Sequence, residues 1–165
     1  MSVQIVLKLG DIKGESIVEN HKDEIDVVSW SWGITQHGSS HVGSGGGAGA
    51  ADVHDLTVTK YVDRASPNIA AFCYTGAPMK GDVILTCIKV GGGTPDKPNK
   101  VEFVKITMNG LVMVSSFSPA GSGSDERFLE TITLHFSQVQ YEYTVQKDKN
   151  EKGDTIPSKL IKIGT

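Results

Sequence analysis

Hydrophobic and polar positions alternate along most of the chain. Val3, Ile5, Leu7 and Leu9 share one phase of residues 3–9, and Val28, Trp30, Trp32 and Ile34 share one phase of "IDVVSWSWGI", with Ser29, Ser31 and Gly33 on the other side. In 53–62, Leu56, Val58 and Val62 alternate with Thr57, Thr59 and Tyr61. "DVILTCIKV", "VEFVKITM" and "LVMVSSFS" continue the pattern. A period of two places successive side chains on opposite faces, so these runs predict β-strands with one buried face. In "RFLETITLHFSQVQYEYTV", Ile132, Leu134 and Phe136 keep one phase, and Val139, Tyr141 and Tyr143 take the other. A phase switch inside one run predicts a bulge near Ser137.

One segment breaks the alternation. "DRASPNIAAFCYTG" offers Ser66 as N-cap, Pro67 at the first helical position and Gly76 as a stop. Ile69, Phe72 and Cys73 then form an apolar stripe at i, i+3, i+4, which predicts a short helix over about 66–75. The expected fold is all-β, a barrel-like pair of packed antiparallel sheets flanked by this helix. Neither repeat nor linker divides the pattern, so residues 1–165 read as a single domain without a further C-terminal module. Loops are expected at 35–52, at "GGGTPDKPNK" (91–100) and at "PAGSGSDER" (119–127), the last two closing hairpins. Asn109-Gly110 is by itself a hairpin signal.

Composition narrows the function classes. The chain has 165 residues, 38% of them hydrophobic, and a net charge of −3. That supports a packed core and argues against nucleic acid, because no basic patch interleaves with aromatics. The start, "MSVQIVLKLGD", alternates as a strand and lacks the basic and apolar regions of a signal peptide, and no run approaches the roughly 20 apolar residues of a membrane span. The expectation is synthesis in the cytoplasm without membrane insertion. Cys73 and Cys87 are too few for a disulfide framework and are expected to be buried free thiols.

The segment 35–55, "TQHGSSHVGSGGGAGAADVHD", holds three of the five histidines, His37, His41 and His54. They lie in a Gly/Ser loop, where no helix converges them and no carboxylate pair or CxxC accompanies them, so no metal site is expected. "GSGGGAG" lacks the lysine and Ser/Thr of a P-loop, and an alternating strand follows it in place of a helix, so no nucleotide or other cofactor is expected. No G-x-S-x-G elbow or other catalytic constellation occurs. What remains is a loop of about eighteen residues, and structureless loops of that length tend to serve binding. Glycine lets such a loop follow a neighbour's surface, at an entropic cost that repeated contacts in an assembly can offset.

"LKLGDIKGES", "DEIDVVSWSWGITQHGSSHVGSGGGAGAADVHDLTVTKYVDRASPNI" and "DERFLETITLHFSQVQ" together resemble the Hcp family, the haemolysin-coregulated tube proteins of bacterial type VI secretion. The resemblance runs over roughly residues 3–145. It implies a barrel-like fold with one helix, a homohexameric ring, rings stacked into a tube, and export with a spike when a surrounding sheath contracts. It also implies a lumen that carries and protects small effector proteins, and no catalysis. By the same resemblance, the segment after "WSWG" is a stacking loop at the ring face: His37, Gly38, Ser39, Ser40, His41, Val42, Gly43, Ser44, Gly45, Gly46 and Gly47. Ser31, with Ser29 on the same face, corresponds to a lumen-facing position that touches cargo. The resemblance further argues for one long strand bent near Gly110 in place of a hairpin turn. The tail "SKLIKIGT" departs from the usual family ending, with Leu160, Ile161 and Ile163 offering a short last strand. Two readings of other classes compete: a sandwich that binds a carbohydrate or small ligand, and a metal-dependent enzyme using His37, His41 and His54.

Overall fold

The computed structural model describes residues 1–38 and 50–163. Among the described residues, eleven strands and one α-helix follow in chain order: β1 Ser2–Leu9, β2 Ile25–Asp26, β3 Ser29–Ser31, β4 Ile34–Thr35, β5 Asp52–Val53, β6 Leu56–Tyr61, α1 Ser66–Thr75, β7 Val83–Thr94, β8 Lys97–Ala120, β9 Leu129–Lys147, β10 Glu151–Pro157 and β11 Ile161–Lys162. Nine strands form one antiparallel sheet in the order β2-β1-β7-β8-β9-β6-β3, with β10 and β11 added to the far half of β9. β4 and β5 pair separately as a two-stranded ribbon.

The all-β, antiparallel architecture with one helix is as expected, and its nine-stranded sheet wraps around one core. Leu7 and Leu9 of β1, Leu56 and Val58 of β6, Leu85 of β7, Ile106 and Val114 of β8, and Ile132, Leu134 and Phe136 of β9 meet in a single buried cluster. The sheet is not a closed barrel. Its two edges are linked by the short stretch 25–31: Val27 N–H donates to Ile5 of β1 and the next amide, Val28, donates to Thr59 of β6. Successive amides of an extended chain point to opposite sides, so one segment leaves the first edge and joins the last.

The long hairpin strands carry the bends that wrapping requires. Between Asn109↔Gln138 and Val112↔Phe136 two residues of β8 oppose one of β9, which places the extra residue of the bulge at Gly110–Leu111, facing Ser137. Gly110 sits at φ +73, in the left-handed region, and a Cβ there would lie 2.0 Å from Ser137 Oγ. Asn109-Gly110 is therefore a bulge inside one continuous strand, as the family resemblance implied, and the buried phase of β9 switches across it, from Phe136 to Val139. The switch does not carry on as expected, since Tyr143 is exposed. The stretch expected as a loop at 91–100 is mostly strand: β7 and β8 pair out to Thr94↔Lys97.

α1 spans the predicted residues and ends at Gly76, φ +65, whose amide bonds to Phe72. Its start differs from the expectation. Ala65 is the N-cap and has no capping side chain. Asp63 does the work instead, accepting from the Ala65 amide at 2.9 Å. The Ser66 hydroxyl is drawn into the core, where it donates to Glu130 Oε1 at 2.6 Å. The helix lies against β8 beyond Met108, where β7 no longer pairs with it and the Met79 amide takes up Val112 O instead. Other apolar positions read from the alternation are exposed at strand ends: Val3, Val28, Ile34 and Val62. Cys87 is buried, but Cys73 is only partly so.

Candidate functional site

β3 is three residues long, and its middle residue packs inward. Trp30 lies against the core, so Ser29 and Ser31 face outward, both exposed. The register of the neighbouring strands gives these two serines a context that single-strand periodicity could not. Ser31 pairs with Thr57 and Ser29 with Thr59 on β6. Thr57 pairs with Thr133 and Thr59 with Thr131 on β9. Thr133 pairs with Ser116 and Thr131 with Ser118 on β8. Directly opposed residues of an antiparallel pair share a face. Four triplets, "SWS", "TVT", "TIT" and "SFS", therefore lie side by side. Their middle residues, Trp30, Val58, Ile132 and Phe117, point to the core, and their outer residues form two rows of hydroxyls on the other face.

One end of the first row is tied up internally. Ser115 is the extra residue of a second bulge, between Val114 and Ser116. Its hydroxyl and that of Ser116 each lie 2.6 Å from Thr133 Oγ1. Ser115 also donates to Asp55 Oδ2 at 2.6 Å, while Asp55 Oδ1 lies 2.9 Å from His135 Nδ1. These three side chains are not a serine-histidine-aspartate relay: the hydroxyl bonds to the carboxylate, and the imidazole, which would have to take its proton, bonds there too. Their effect is to fix the bulge of β8 to the turn before β6.

The residues on either side of the predicted stacking segment are held at the other end of β3. Trp32 stacks on Tyr141 with centroids 6.2 Å apart and tilts against Phe136 at 6.4 Å. Its indole N–H donates to His54 O at 2.9 Å. The His54 amide donates to Gly33 O, and His54 Nε2 lies 3.7 Å from Asp52 Oδ2. This packing fixes the root of the β4–β5 ribbon. Gly33 and Gly38 flank the ribbon's first strand, and His37 is exposed beyond it. The rest of the predicted stacking residues, Ser39, Ser40, His41, Val42, Gly43, Ser44, Gly45, Gly46 and Gly47, lie outside the described residues. Among the described residues no group of three or more His, Cys, Asp or Glu side chains could hold a metal ion, and no helix is long and apolar enough to cross a membrane.

Two further features escaped sequence reading. Lys60, on the apolar phase of Leu56 and Val58, is fully buried and pairs with Glu130, 2.5 Å away and also fully buried. The signal was available: each residue occupies an inward position of its strand. The second is a cleft of about 430 Å³ near the β7–β8 hairpin, lined by Glu19, Lys100, Glu102, Lys105 and Glu142. There His21 bridges Glu24 at 2.9 Å and Glu102 at 2.7 Å, which pins residues 13–24 to β8.

The whole chain can now be compared with known proteins. The family model described as "Type VI secretion system effector, Hcp" matches residues 6–143. The chain belongs to the Hcp family. Protein hcp1 of Pseudomonas aeruginosa is 45% identical over 152 residues, which cover 92% of this chain and 90% of that protein. A solved type six secretion system protein superposes with a TM-score of 0.84 at 28% identity, covering 94% of this chain and 93% of that one. Hcp1 from Salmonella typhimurium gives 0.73 at 37% identity, covering 95% and 93%. The fold alone extends further, to the tube-terminating cap of the anti-feeding prophage, at 13% identity and a TM-score of 0.51. Hcp proteins are secreted structural proteins of type VI secretion, tube proteins and not a known enzyme family.

The two cysteines of this Hcp-family chain separate chemically. Burial pushes the Cys87 thiol above its ordinary value, partly offset by a hydrogen bond with Trp30. The thiolate is the nucleophile, so Cys87 is expected to resist iodoacetamide at pH 8 while partly buried Cys73 reacts. Mass spectrometry of the alkylated native protein checks this. The same shift carries a sign for stability. The native thiol keeps its proton to higher pH than the unfolded one, so the contribution is full below pH 9.0, the unperturbed value, and is lost as pH rises above it.

Proposed function

We propose that this chain is the repeating subunit of a type VI inner tube: it closes into a six-membered ring, rings stack, and the lumen carries small effector proteins to be exported with the spike when the sheath contracts. The hydroxyl face carries this reading. A partly exposed, hydroxyl-lined sheet face opposite a well-packed core, with Arg127 over Tyr61 at one margin and Asp55 at another, suits the wall of a channel through which other proteins move. Ser29 and Ser31 stand at its margin as cargo-facing residues. The ribbon rooted by Trp32 and His54 leads into the glycine-rich stacking segment. Exposed apolar side chains at Ile17 (94%) and Tyr74 (93%) supply surface for contacts between subunits. A ring needs a heterologous contact that closes, and stacking repeats a second contact along the axis. On this reading the protein folds in the bacterial cytoplasm and reaches the outside only through the secretion machine.

Negative-stain electron microscopy with native mass measurement tests it. Six-fold rings with an open centre are expected, with a mass six times that of the 17.6 kDa chain. Gly46→Lys is expected to leave rings and the melting temperature unchanged and to abolish stacking, because a bulky charge would repeat at every ring junction. A monomer at high concentration would overturn the tube reading. It would move attention to the ligand-binding alternative, for which the charged cleft beside His21 is the observation in favour.

A further inference from the structure

α1 is held to the sheet by little apolar contact. Ser66 and Ile69 are the buried residues of its ten, and Phe72 and Cys73 are only partly covered. Its N-cap, Ala65, has no capping side chain, and the Ser66 hydroxyl points into the core. There Ser66 Oγ donates to Glu130 Oε1 and accepts from the Asp63 amide at 3.0 Å, while Asp63 Oδ1 takes the Lys60 ammonium. The first turn is thus tied to two charges, one from β6 and one from β9. Those charges are a poor source of stability. Both are fully buried, and Glu130 Oε2 has no hydrogen-bond partner among the described residues. A buried pair that leaves one oxygen unmet recovers little beyond its desolvation cost, and apolar residues of similar size fill a core as well. What apolar residues cannot do is hold a hydroxyl in one place.

We propose that Lys60 and Glu130 are positioning residues for α1. They add no net stability; they seat the first turn of the helix, and so hold Tyr74 in its last turn where a second copy of the chain is met. This rests on the reading of the chain as a ring subunit, and names an internal contact on which ring closure depends. The outer face of α1 suits that role. Pro67, Asn68, Ala71, Tyr74 and Thr75 are exposed, and the helix bears no charged side chain. The buried centres of protein–protein contacts are depleted in charge and enriched in tyrosine. Ala71 and Thr75 also line an apolar groove of about 340 Å³ with Phe72, Ala77 and Pro78. Ser66 and Tyr74 are separated by about 12 Å of helix, so a tilt of about 10° at the first turn moves the last by about 2 Å, enough to spoil a packed contact.

The test uses the full chain carrying Lys60→Met/Glu130→Leu, which removes both charges and the acceptor of the Ser66 hydroxyl. Three quantities are measured beside wild type: stability to urea, hydrogen–deuterium exchange of the α1 amides, and the subunit concentration at which rings fall apart, by native mass measurement. Stability is expected to equal or exceed wild type. Exchange in α1 should be about tenfold faster with β9 unchanged, and rings should fall apart at about tenfold higher concentration, the scale of one hydrogen bond to a charged group. Ser66→Ala, which leaves the ion pair intact, should reproduce the faster exchange and the weaker rings. Ser66→Thr, which keeps the hydroxyl, should do neither. Tyr74→Ala should weaken the rings with α1 exchange unchanged.

Unchanged α1 exchange in the double variant overturns the proposal and leaves the ring reading standing. Faster exchange with rings as tight as wild type also overturns it, because the seat of the helix would then not matter to the contact. So does a double variant that folds but unfolds in less urea with faster exchange in every strand, since the pair would then be an ordinary support of the fold. Rings unchanged by Tyr74→Ala put the contact elsewhere and overturn it as well. Should the double variant fail to fold, Ser66→Ala against Ser66→Thr decides: equal exchange and equal rings in the two overturn the proposal. If the wild-type protein stays a monomer, the ring reading itself fails.

Discussion

Lys60→Ala is expected to destabilise the protein by about 3–5 kcal/mol, because it strips the counter-charge from a carboxylate that water cannot reach. Glu130 is fully buried, and its Oε1 lies 2.5 Å from Lys60 Nζ. The ammonium is satisfied by more than this one partner: it also donates to Tyr61 O at 2.8 Å and to Asp63 Oδ1 at 2.9 Å, which completes its three N–H bonds, and it lies 3.3 Å from Ser66 Oγ. The pair therefore ties three elements together, β6, β9 and the first turn of α1. Removing Lys60 leaves Glu130 without a counter-charge in the core, whereas removing Glu130 leaves Lys60 only its pair with Asp63. Replacing both by apolar residues of similar size removes the desolvation cost along with the attraction. Lys60→Met/Glu130→Leu is accordingly expected to lie close to wild type or above it, while each single change melts roughly 10 °C lower. Urea denaturation of the two singles and the double decides this. Equal, additive losses would show that the two charges do not depend on each other.

The second large effect is at the bulge. Gly110→Ala is expected to cost about 2–3 kcal/mol, in two separable parts. Any Cβ at φ +73 costs about 1–2 kcal/mol in backbone strain. The rest comes from its overlap with Ser137 Oγ, which would lie 2.0 Å away. That hydroxyl is itself bonded, accepting from the Leu111 amide at 2.9 Å and lying 3.4 Å from Asn109 O. Ser137→Ala alone is expected to cost about 1 kcal/mol for the lost bond. In the double variant the overlap is gone, so its cost should fall short of the sum of the singles. Strict additivity in urea denaturation would mean that the alanine methyl never meets the serine.

The helix shows where local signals suffice and where they stop. Pro67 and Gly76 are backbone instructions: a fixed φ suits the first turn, and a left-handed residue ends the last one. Both act through the chain itself, so the span was readable in advance. The cap was not. Ser66 has the chemistry of an N-cap, but a buried ammonium and carboxylate arrive from β6 and β9 and compete for its hydroxyl, leaving Asp63 to hold the Ala65 amide. Asn109-Gly110 is a similar case. The dipeptide reads as a turn by itself, and only pairing with β9 across Ser137 makes it a bulge in a continuous strand. The tail is a third. "SKLIKIGT" says little about its own partner, and β10 and β11 find theirs in the half of β9 that β6 leaves unpaired.

By itself, the sequence determined that the chain is mostly β-strand with one short helix, that Trp30 faces inward where Ser29 and Ser31 face outward, and which family it belongs to. These follow from alternation, from Pro and Gly at fixed offsets, and from motifs that are contiguous in the chain. Tertiary structure alone decided that nine strands form one sheet around one core, that Lys60 meets Glu130 inside it, and that "SWS", "TVT", "TIT" and "SFS" align into two hydroxyl rows. The physical reason is register. Each triplet states its own inward and outward faces, but which residue stands beside which is set by the bulges at Gly110 and Ser115 and by the hairpin that joins β8 to β9.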